Sequence, residues 1–370
     1  MAAASSPGHS RYLSAVFAMA IVSSALAAQE PTVASAQPAS ATKEEHTKVV
    51  KPSPFYDSAE PIEVTFTTNI GKIRGDKGSQ PPWRPATLSY KDTAGSLVSV
   101  PLKARTRGIW RLRMCDFPPL RLNFSGEEAK GTIFRHLDKP KLVSYCQDRE
   151  VYERYILEEF QLYRVYQLLT PMSHRARLLK LNYTDSASGK LRAHRYGFII
   201  EEPNALGARV GGRVMEQKGA VGADLDPFQN ALFGVFQYMI GNTDFSVAGL
   251  HNVELLFTND GLVMPIAYDF DFAGAVNASY AIPDERLGIP NVRRRVFRGY
   301  CSDPAMYAKA FALFNEKRAE IYALYRDPIG KLLDDDTVRE TLKYFDEFYE
   351  TINDSRSAKR QIIQACIDRR

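Results

Sequence analysis

The chain has 370 residues, of which 45% are hydrophobic and 25% are charged, and this composition excludes a wholly disordered protein. Its 48 basic and 43 acidic residues give a net charge of only +5, far from the concentrated basic surface of a nucleic-acid-binding protein. The length predicts two domains or one bilobed domain. After the first 30 residues no apolar run reaches the ~18 residues of a membrane-spanning helix, so we expect no transmembrane span in the mature chain.

The N-terminus has the pattern of an export signal. Arg11 precedes an apolar run that ends in Ala25-Leu26-Ala27, a typical cleavage pattern. We therefore predict a signal peptide over residues 1–27. Residues 28–54 are rich in Ala, Ser, Thr and Pro, which predicts a disordered linker. An exported protein is expected, whether periplasmic, extracellular or at the cell surface, and a retained signal anchor is the alternative.

Four cysteines in an oxidising compartment indicate disulfides, although four cysteines allow three pairings. We favour Cys115–Cys146 because both residues fall in a β-rich region, and Cys301–Cys366 because both lie in the C-terminal part. Zinc binding is the weaker alternative, since the chain has no C-x-x-C pair and the spacings are long.

The first part of the folded chain, residues 55–202, is predicted to be rich in β-strands with one long helix. Alternating polar and apolar residues predict the strands. Apolar residues at steps of three and four, from Tyr152 to Tyr166, predict the helix, which Pro171 ends. The strands are predicted over 63–67, 86–90, 97–104, 120–124, 141–146, 177–183 and 195–200, and the helix over 149–169.

The second part, residues 203–370, is predicted to be mostly helical. Asp226-Pro227 has the sequence of a helix start, because a capping residue precedes proline. A hairpin is predicted around the turn Asn259-Asp260-Gly261. The helices are predicted over 226–240, 305–325, 336–352 and 357–368, and the hairpin strands over 253–257 and 262–268.

Polar side chains flank that hairpin on both sides. Asp244 and Asn252 precede it, while Asp269 and Asp271 are expected at the end of its second strand, pointing to one face. Phosphoryl transfer needs such a set, because one Asp orients the attacking hydroxyl while an Asn and another Asp hold Mg²⁺ on the phosphates. The structural alternative is that Asp244 caps a loop and that Asn259-Asp260-Gly261 is simply a turn.

The same region resembles a known family of atypical protein kinases. Residues 240–244 (Ile-Gly-Asn-Thr-Asp) are similar to the start of a catalytic loop, His251-Asn252 resembles its H-N pair, and residues 265–271 resemble a metal-binding segment. Together they resemble the CotH (spore-coat protein H) kinase-like family, with HipA-like kinases as more distant relatives. The resemblance implies an α+β, bilobed, atypical protein-kinase-like fold with a β-rich N-lobe and a mostly helical C-lobe.

The resemblance also implies roles for individual residues. Asp244 would be the catalytic base, with Asn242 supporting it. Asn252 and Asp269 would bind Mg²⁺, and Asp271 would bind a second metal or support the first. The implied cofactors are ATP and Mg²⁺.

The residues that bind the nucleotide phosphates are expected in the β-rich lobe, although the sequence has no glycine-rich G-x-G-x-x-G loop to cover the phosphates. Lys141 and Arg121 are the candidate phosphate-binding bases, and Glu159 on the long helix could pair with the base, as kinases require. Alternatively, Lys141 is a strand-end charge and Glu159 belongs to a solvated helix edge.

The leading hypothesis is therefore an exported ATP-dependent kinase-like phosphotransferase that acts on a protein hydroxyl. An inactive pseudokinase scaffold of the cell envelope and a metal-dependent hydrolase are the alternatives. A basic run, Arg293-Arg294-Arg295 with Arg298, could grip an acidic substrate, although such runs are more often solvated. The oligomeric state stays open.

Overall fold

Seven strands close into a β-barrel in the computed structural model, which describes residues 50–108 and 110–368. The predicted signal peptide, and the predicted linker as far as residue 49, lie outside the described residues. The barrel strands are β1 (Ile62–Thr68), β2 (Arg84–Lys91), β3 (Leu97–Thr106), β4 (Leu120–Phe124), β5 (Lys141–Val143), β6 (Ala176–Asp185) and β7 (Leu191–Ile200). Their order around the barrel is β1-β2-β3-β4-β5-β7-β6.

Neighbouring strands are antiparallel at every step except the last. There β1 runs parallel to β6, with Ile62 opposite Leu179, and this pairing closes the barrel. Residues 50–108 and 110–368 belong to one compact unit.

Alternation along the strands builds the barrel core, because successive side chains point to opposite faces. In β4, Leu120, Leu122 and Phe124 are buried, while Arg121 and Asn123 lie half-buried on the opposite face. The strands thus bury one face in the core and leave polar side chains on the other.

The described residues also form eight helices and a small sheet. The helices are α1 (Ile70–Gly75), α2 (Trp110–Met114), α3 (Glu150–Leu169), α4 (Pro203–Val210), α5 (Pro227–Ile240), α6 (Pro304–Leu324), α7 (Asp335–Asn353) and α8 (Ser355–Ala358), and a π-helical turn, Lys359–Ile363, follows. Strands β8 (Gly212–Met215), β9 (Val253–Thr258) and β10 (Val263–Ala267) form an antiparallel sheet in the order β10-β9-β8. None of the helices in the described ranges is long and apolar enough to cross a bilayer.

Helix α3 connects the barrel to the other helices. Phe160 and Tyr163 pack on Phe198 of β7, with ring centroids 5.6 and 5.4 Å apart. Tyr166 stacks on Phe236 of α5 at 4.3 Å. The aromatic residues predicted to form a core do so, and they fix α3 between the two parts.

Both predicted disulfides are confirmed. Cys115 is bonded to Cys146, and Cys301 is bonded to Cys366. The first bond anchors the segment that follows α2, while the second holds the C-terminus beside the start of α6. Disulfides are compatible with an exported protein.

The predicted bilobed kinase-like fold, with a β-rich N-lobe and a mostly helical C-lobe, is wrong. The strands assigned to the β-rich lobe form a closed seven-stranded barrel, and a helical part accompanies it. Alternation in a sequence indicates which face of a strand is buried, but it carries no signal for which strands pair. The parallel closure of β1 on β6 was therefore not predictable from the pattern.

Two local predictions also differ from the structure, and one short helix was not predicted. The strand predicted over 141–146 ends at Val143, where the chain enters a turn region before α3. The helix predicted over 357–368 is split into α8 and the π-helical turn. The glycine-rich segment after residue 203 contains α4, which ends at Gly211 in the left-handed conformation (φ 72°) that glycine adopts readily.

Candidate functional site

The candidate site lies at one end of the β9–β10 ribbon. Val253 is paired with Ala267, so the residues just before β9 and just after β10 meet at the same end. The amide of Tyr268 donates to the carbonyl of Asn252 at 3.2 Å. The ribbon therefore brings the predicted residues Asn252 and Asp269 together, as the hairpin predicted.

The loop after α5 carries Asp244. α5 ends at Gly241, whose φ of 67° lies in the left-handed region. Asn242 is buried; its Nδ2 donates to Gln237 Oε1 at 3.0 Å, and its Oδ1 accepts from the amide of Asp244 at 3.0 Å. Asn242 thus positions the backbone of Asp244 from inside the protein.

The carboxylate of Asp244 is held by two neighbouring side chains, His251 and Asn252. His251 Nε2 lies 2.9 Å from Asp244 Oδ1, and Asn252 Nδ2 donates to Asp244 Oδ2 at 3.1 Å. Asn252 also donates to the carbonyl of Asp244 at 2.8 Å. The Asp244 side chain is 39% exposed, so it is oriented by its neighbours yet accessible to a substrate.

Asp269 and Asp271 follow β10 in a turn, which corrects the prediction that both lie on one face of a strand. Asp269 has φ 63° and Asn252 has φ 52°, and left-handed backbone in non-glycine residues is characteristic of functional sites. The amide of Asp269 donates to the hydroxyl of Tyr163 at 2.9 Å. The strained turn aims the Asp269 carboxylate toward the segment that contains α2.

Arg111 of α2 bridges both carboxylates. Its Nη2 donates to Asp269 Oδ1 at 3.1 Å, and its Nε lies 3.5 Å from Asp271 Oδ2. Burial alone would lower the pKa of Arg111, but Asp271 and Asp269 raise it well above its usual value. No sequence pattern pointed to this residue, since it is separated from Asp269 by 158 positions.

Burial raises the pKa values of two acidic groups near Arg111. Burial, followed by the charge of Asp271, raises the pKa of Glu159 well above its usual range. Burial also raises the pKa of Asp271 to about 7 against the opposing charge of Arg111, and the negative charge of Asp269 adds to the effect of burial. Glu159 Oε1 accepts from the amide of Phe270 at 3.3 Å. Glu159 therefore supports the turn as a buried acid and is no solvated helix edge.

Lys141 pairs with a residue that sequence reasoning missed. Its Nζ lies 3.7 Å from Glu254 Oε1 and 3.8 Å from the centre of the Tyr268 ring. Glu254 is held in turn by His174, whose Nε2 lies 2.9 Å from Oε2. Burial lowers the pKa of Lys141 to about 8. Lys141 is thus paired with Glu254, where Glu159 had been expected.

Arg121 lies in a row of cations across three barrel strands. It is opposite Arg105 of β3 and Lys141 of β5. Burial, and then the charge of Arg107, lowers the pKa of Arg121. Like charges directly opposite one another on neighbouring strands are unfavourable without a counter-charge. Lys141 connects the row to the acidic site, because Lys141 and the neighbouring Arg107 both help Arg111 to hold the pKa of Asp269 below its usual value against the effect of burial.

Two clefts adjoin these groups. One, of about 390 Å³, is lined by Asp244, His251 and Arg298 among others. The other, of about 350 Å³, is lined by Arg121, Lys141 and the neighbouring acidic residues. The catalytic base predicted from the sequence therefore borders one cleft, and the predicted phosphate-binding bases border another.

The basic run 293–298 is largely structural. Arg293 donates to the carbonyl of Gly274 at 3.2 Å, and Arg295 is paired with Glu347 at 3.1 Å. Arg298 donates to the carbonyl of Thr243, and it is the member that lines the cleft beside Asp244.

The residues at the ribbon end fit a hard divalent cation. The amide nitrogen of Asn252 is turned to Asp244, which leaves its Oδ1 as the ligand atom, and Arg111 engages only Oδ1 of Asp269. An amide oxygen and a carboxylate oxygen suit Mg²⁺. Within residues 50–108 and 110–368, no group of three His, Cys, Asp or Glu side chains is arranged to hold a metal ion.

Comparison with models of protein families finds no match for the chain, and comparison with curated proteins finds none either. The resemblance to the CotH kinase-like family therefore stays a prediction from the motifs. The chemistry of the site has to be judged from its own geometry.

Proposed function

We propose that the protein is an exported phosphotransferase that uses Mg²⁺ and ATP and acts on a hydroxyl group of a protein. The observation that carries the proposal is the meeting of Asp244, Asn252 and Asp269 at one ribbon end, beside a row of cations. The proposal depends on the chemistry of this site and not on a kinase-like fold, which the structure contradicts.

Asp244 is suited to accept the proton of the substrate. It is half-exposed, lines a cleft and is oriented by His251 and Asn252. The hydroxyl oxygen attacks the γ-phosphorus and forms a new P–O bond as the bond from that phosphorus to the β–γ bridging oxygen breaks. The hydroxyl proton passes to Asp244, and the nucleoside diphosphate leaves with the electron pair.

Asn252 and Asp269 are the residues that would hold Mg²⁺. When bound, the ion neutralises charge on the phosphates and orients them. Asn252 has a second task, because its amide nitrogen donates to Asp244. One side chain would thus fix the distance between the base and the phosphate-binding part of the site.

The row of cations supports a phosphate-bearing donor. Arg121 lies between two like charges, Arg105 and Lys141. Among the described residues, Nε of Arg107 is buried without a hydrogen-bond partner. Buried donors of this kind are costly unless a ligand satisfies them, and a triphosphate carries both the charge and the acceptors.

Export is supported by the signal-peptide pattern and the two disulfides. ATP is scarce outside the cytoplasm, so the donor has to be identified directly. Transfer from γ-labelled ATP would support phosphorylation, whereas transfer from α-labelled ATP alone would contradict it in favour of AMP transfer.

The test uses matched Asp-to-Asn variants on the same ribbon. Asp244→Asn is expected to reduce transfer by about 10²–10⁴-fold, the usual contribution of a general base. Asp269→Asn should abolish Mg²⁺-dependent transfer, because the variant loses a ligand of the ion. Asp260→Asn, in the exposed hairpin turn, is the control and should transfer at the normal rate. Full transfer by the Asp269 variant would contradict the metal assignment.

A non-catalytic scaffold is the second candidate, and one observation favours it. Arg111 already compensates Asp269 and Asp271 without a metal ion. A scaffold of this kind predicts no thermal stabilisation by Mg-ATP, whereas a protein that binds the nucleotide is stabilised by RT ln(1 + [L]/Kd), which grows with the logarithm of the ligand concentration. Thermal unfolding with and without Mg-ATP separates the two functions.

A further inference from the structure

We propose that Arg111 permanently fills the position of a second cation, so that the site takes one divalent ion, at Asp269 and Asn252, and none at Asp271. This inference rests on the proposed function, since it concerns the metal that Asp269 and Asn252 would bind. It assigns to Arg111 a positioning role that the sequence did not indicate.

The guanidinium group contacts both carboxylates. Arg111 lies 3.1 Å from Asp269 and 3.5 Å from Asp271, with only 9% of its side chain exposed. A guanidinium has a fixed planar array of donors and stays charged, so it is a suitable permanent counter-ion for two carboxylates. Two buried carboxylates this close would otherwise be strongly unfavourable.

The two carboxylates differ in how accessible they are to a metal ion. The side chain of Asp269 is 19% exposed and Arg111 engages its Oδ1, so this carboxylate is accessible to a cation from the solvent side. The side chain of Asp271 is only 7% exposed, is paired with Arg111 and interacts with the charge of the α3 acid Glu159. An ion with its remaining water ligands therefore has access to Asp269 alone.

Arg111 is held in place by the segment around it. Trp110 packs on Phe272 and Tyr280, with ring centroids 5.8 and 5.2 Å apart. On the other side, Cys115 ties the end of α2 to Cys146. The short helix that carries Arg111 is thus anchored at both of its ends, and this holds the guanidinium group in position.

The experiment counts ions bound to the full mature chain. Mn²⁺, which is paramagnetic and replaces Mg²⁺, is titrated in the presence of a non-hydrolysable ATP analogue, and bound ions are counted by EPR. We expect one ion per protein. Arg111→Met should bind a second ion, and Mn²⁺ should raise its melting temperature more than that of the wild type. Arg113→Met, on the exposed side of the same helix, is the control and should behave as wild type.

The outcomes are separable. Two ions in the wild type, or an Arg111→Met variant that binds one ion with unchanged stabilisation, would overturn the inference alone. No ion in the wild type would contradict the proposed function, and the inference would fall with it. If Arg111→Met does not fold, Asp271→Asn decides: the inference expects one ion still bound, and loss of that ion would overturn it. Asp269→Asn should weaken binding by at least about 10-fold.

Discussion

The disulfide Cys115–Cys146 is predicted to stabilise the protein and to hold α2 over the acidic site. The two cysteines are 31 positions apart, and the loop-closure entropy of a cross-link of that length is worth about 3.7 kcal/mol at 25 °C. Replacing both by serine should therefore lower the free energy of unfolding by roughly that amount. Urea unfolding followed by circular dichroism measures it under non-reducing conditions.

A second readout reports on the site itself. The chain has two tryptophans, and Trp110 packs on Phe272 and Tyr280. In a Trp83→Phe background, loss of the Cys115–Cys146 bond should shift the emission of Trp110 to longer wavelength, because α2 loses its anchor and Trp110 meets more water.

The other disulfide is the matched control. Cys301 and Cys366 are 65 positions apart, so the same entropy term predicts a loss of about 4.3 kcal/mol when both are replaced by serine. This pair lies far along the chain from α2, and its removal should leave the emission of Trp110 unchanged. Equal emission shifts in the two variants, or none in the first, would refute the reasoning that the Cys115–Cys146 bond positions α2.

Three further predictions concern stability and nucleotide binding. Burial raises the pKa of Glu158 from 4.5 to about 8, so the folded state holds this proton more tightly than the unfolded state. The free energy of unfolding of the wild type should therefore fall as the pH rises from about 4.5 to 8, by up to ~1.4 kcal/mol per pH unit. Glu158→Gln should lack that slope in urea unfolding at successive pH values, and parallel curves would contradict it. Because burial lowers the pKa of Lys141 to about 8, the wild type should lose ATP affinity above pH 8, whereas Lys141→Arg should keep it. Calorimetry at successive pH values measures both affinities, and identical pH profiles would count against Lys141 as a phosphate ligand. Gly241→Ala should destabilise the protein by about 2 kcal/mol or more, since φ is positive and the new Cβ would clash with the Tyr344 hydroxyl. Gly126→Ala, where the new Cβ meets open space, is the control. Equal melting temperatures of the two variants would contradict the argument.

The periodic elements were predictable from the sequence because their burial patterns are local. β4 has the predicted bounds, Leu120–Phe124, and α3 begins within one residue of the prediction. The short helix α2 was missed, since five residues show no period. The parallel pairing of β1 with β6 was missed because pairing is a tertiary property.

The candidate site was predictable only where its residues are close in the sequence. Asn252 and Asp269 flank one hairpin, so their meeting followed from the turn between them. Arg111 and the pair of Lys141 with Glu254 come from distant segments, and no local pattern links them. Charged residues in a β-rich sequence give no indication of which partner the fold will supply.

The parallel pairing of β1 with β6 has a consequence for biogenesis. A chain that emerges N-terminus first presents β1 long before its neighbour Ala176–Asp185 has been delivered. Until then one edge of β1 is open to strands of other molecules, and closing so distant a pair is a slow step. A chaperone that shields this edge while the rest of the chain is being delivered would therefore be expected to increase the yield of correctly assembled protein.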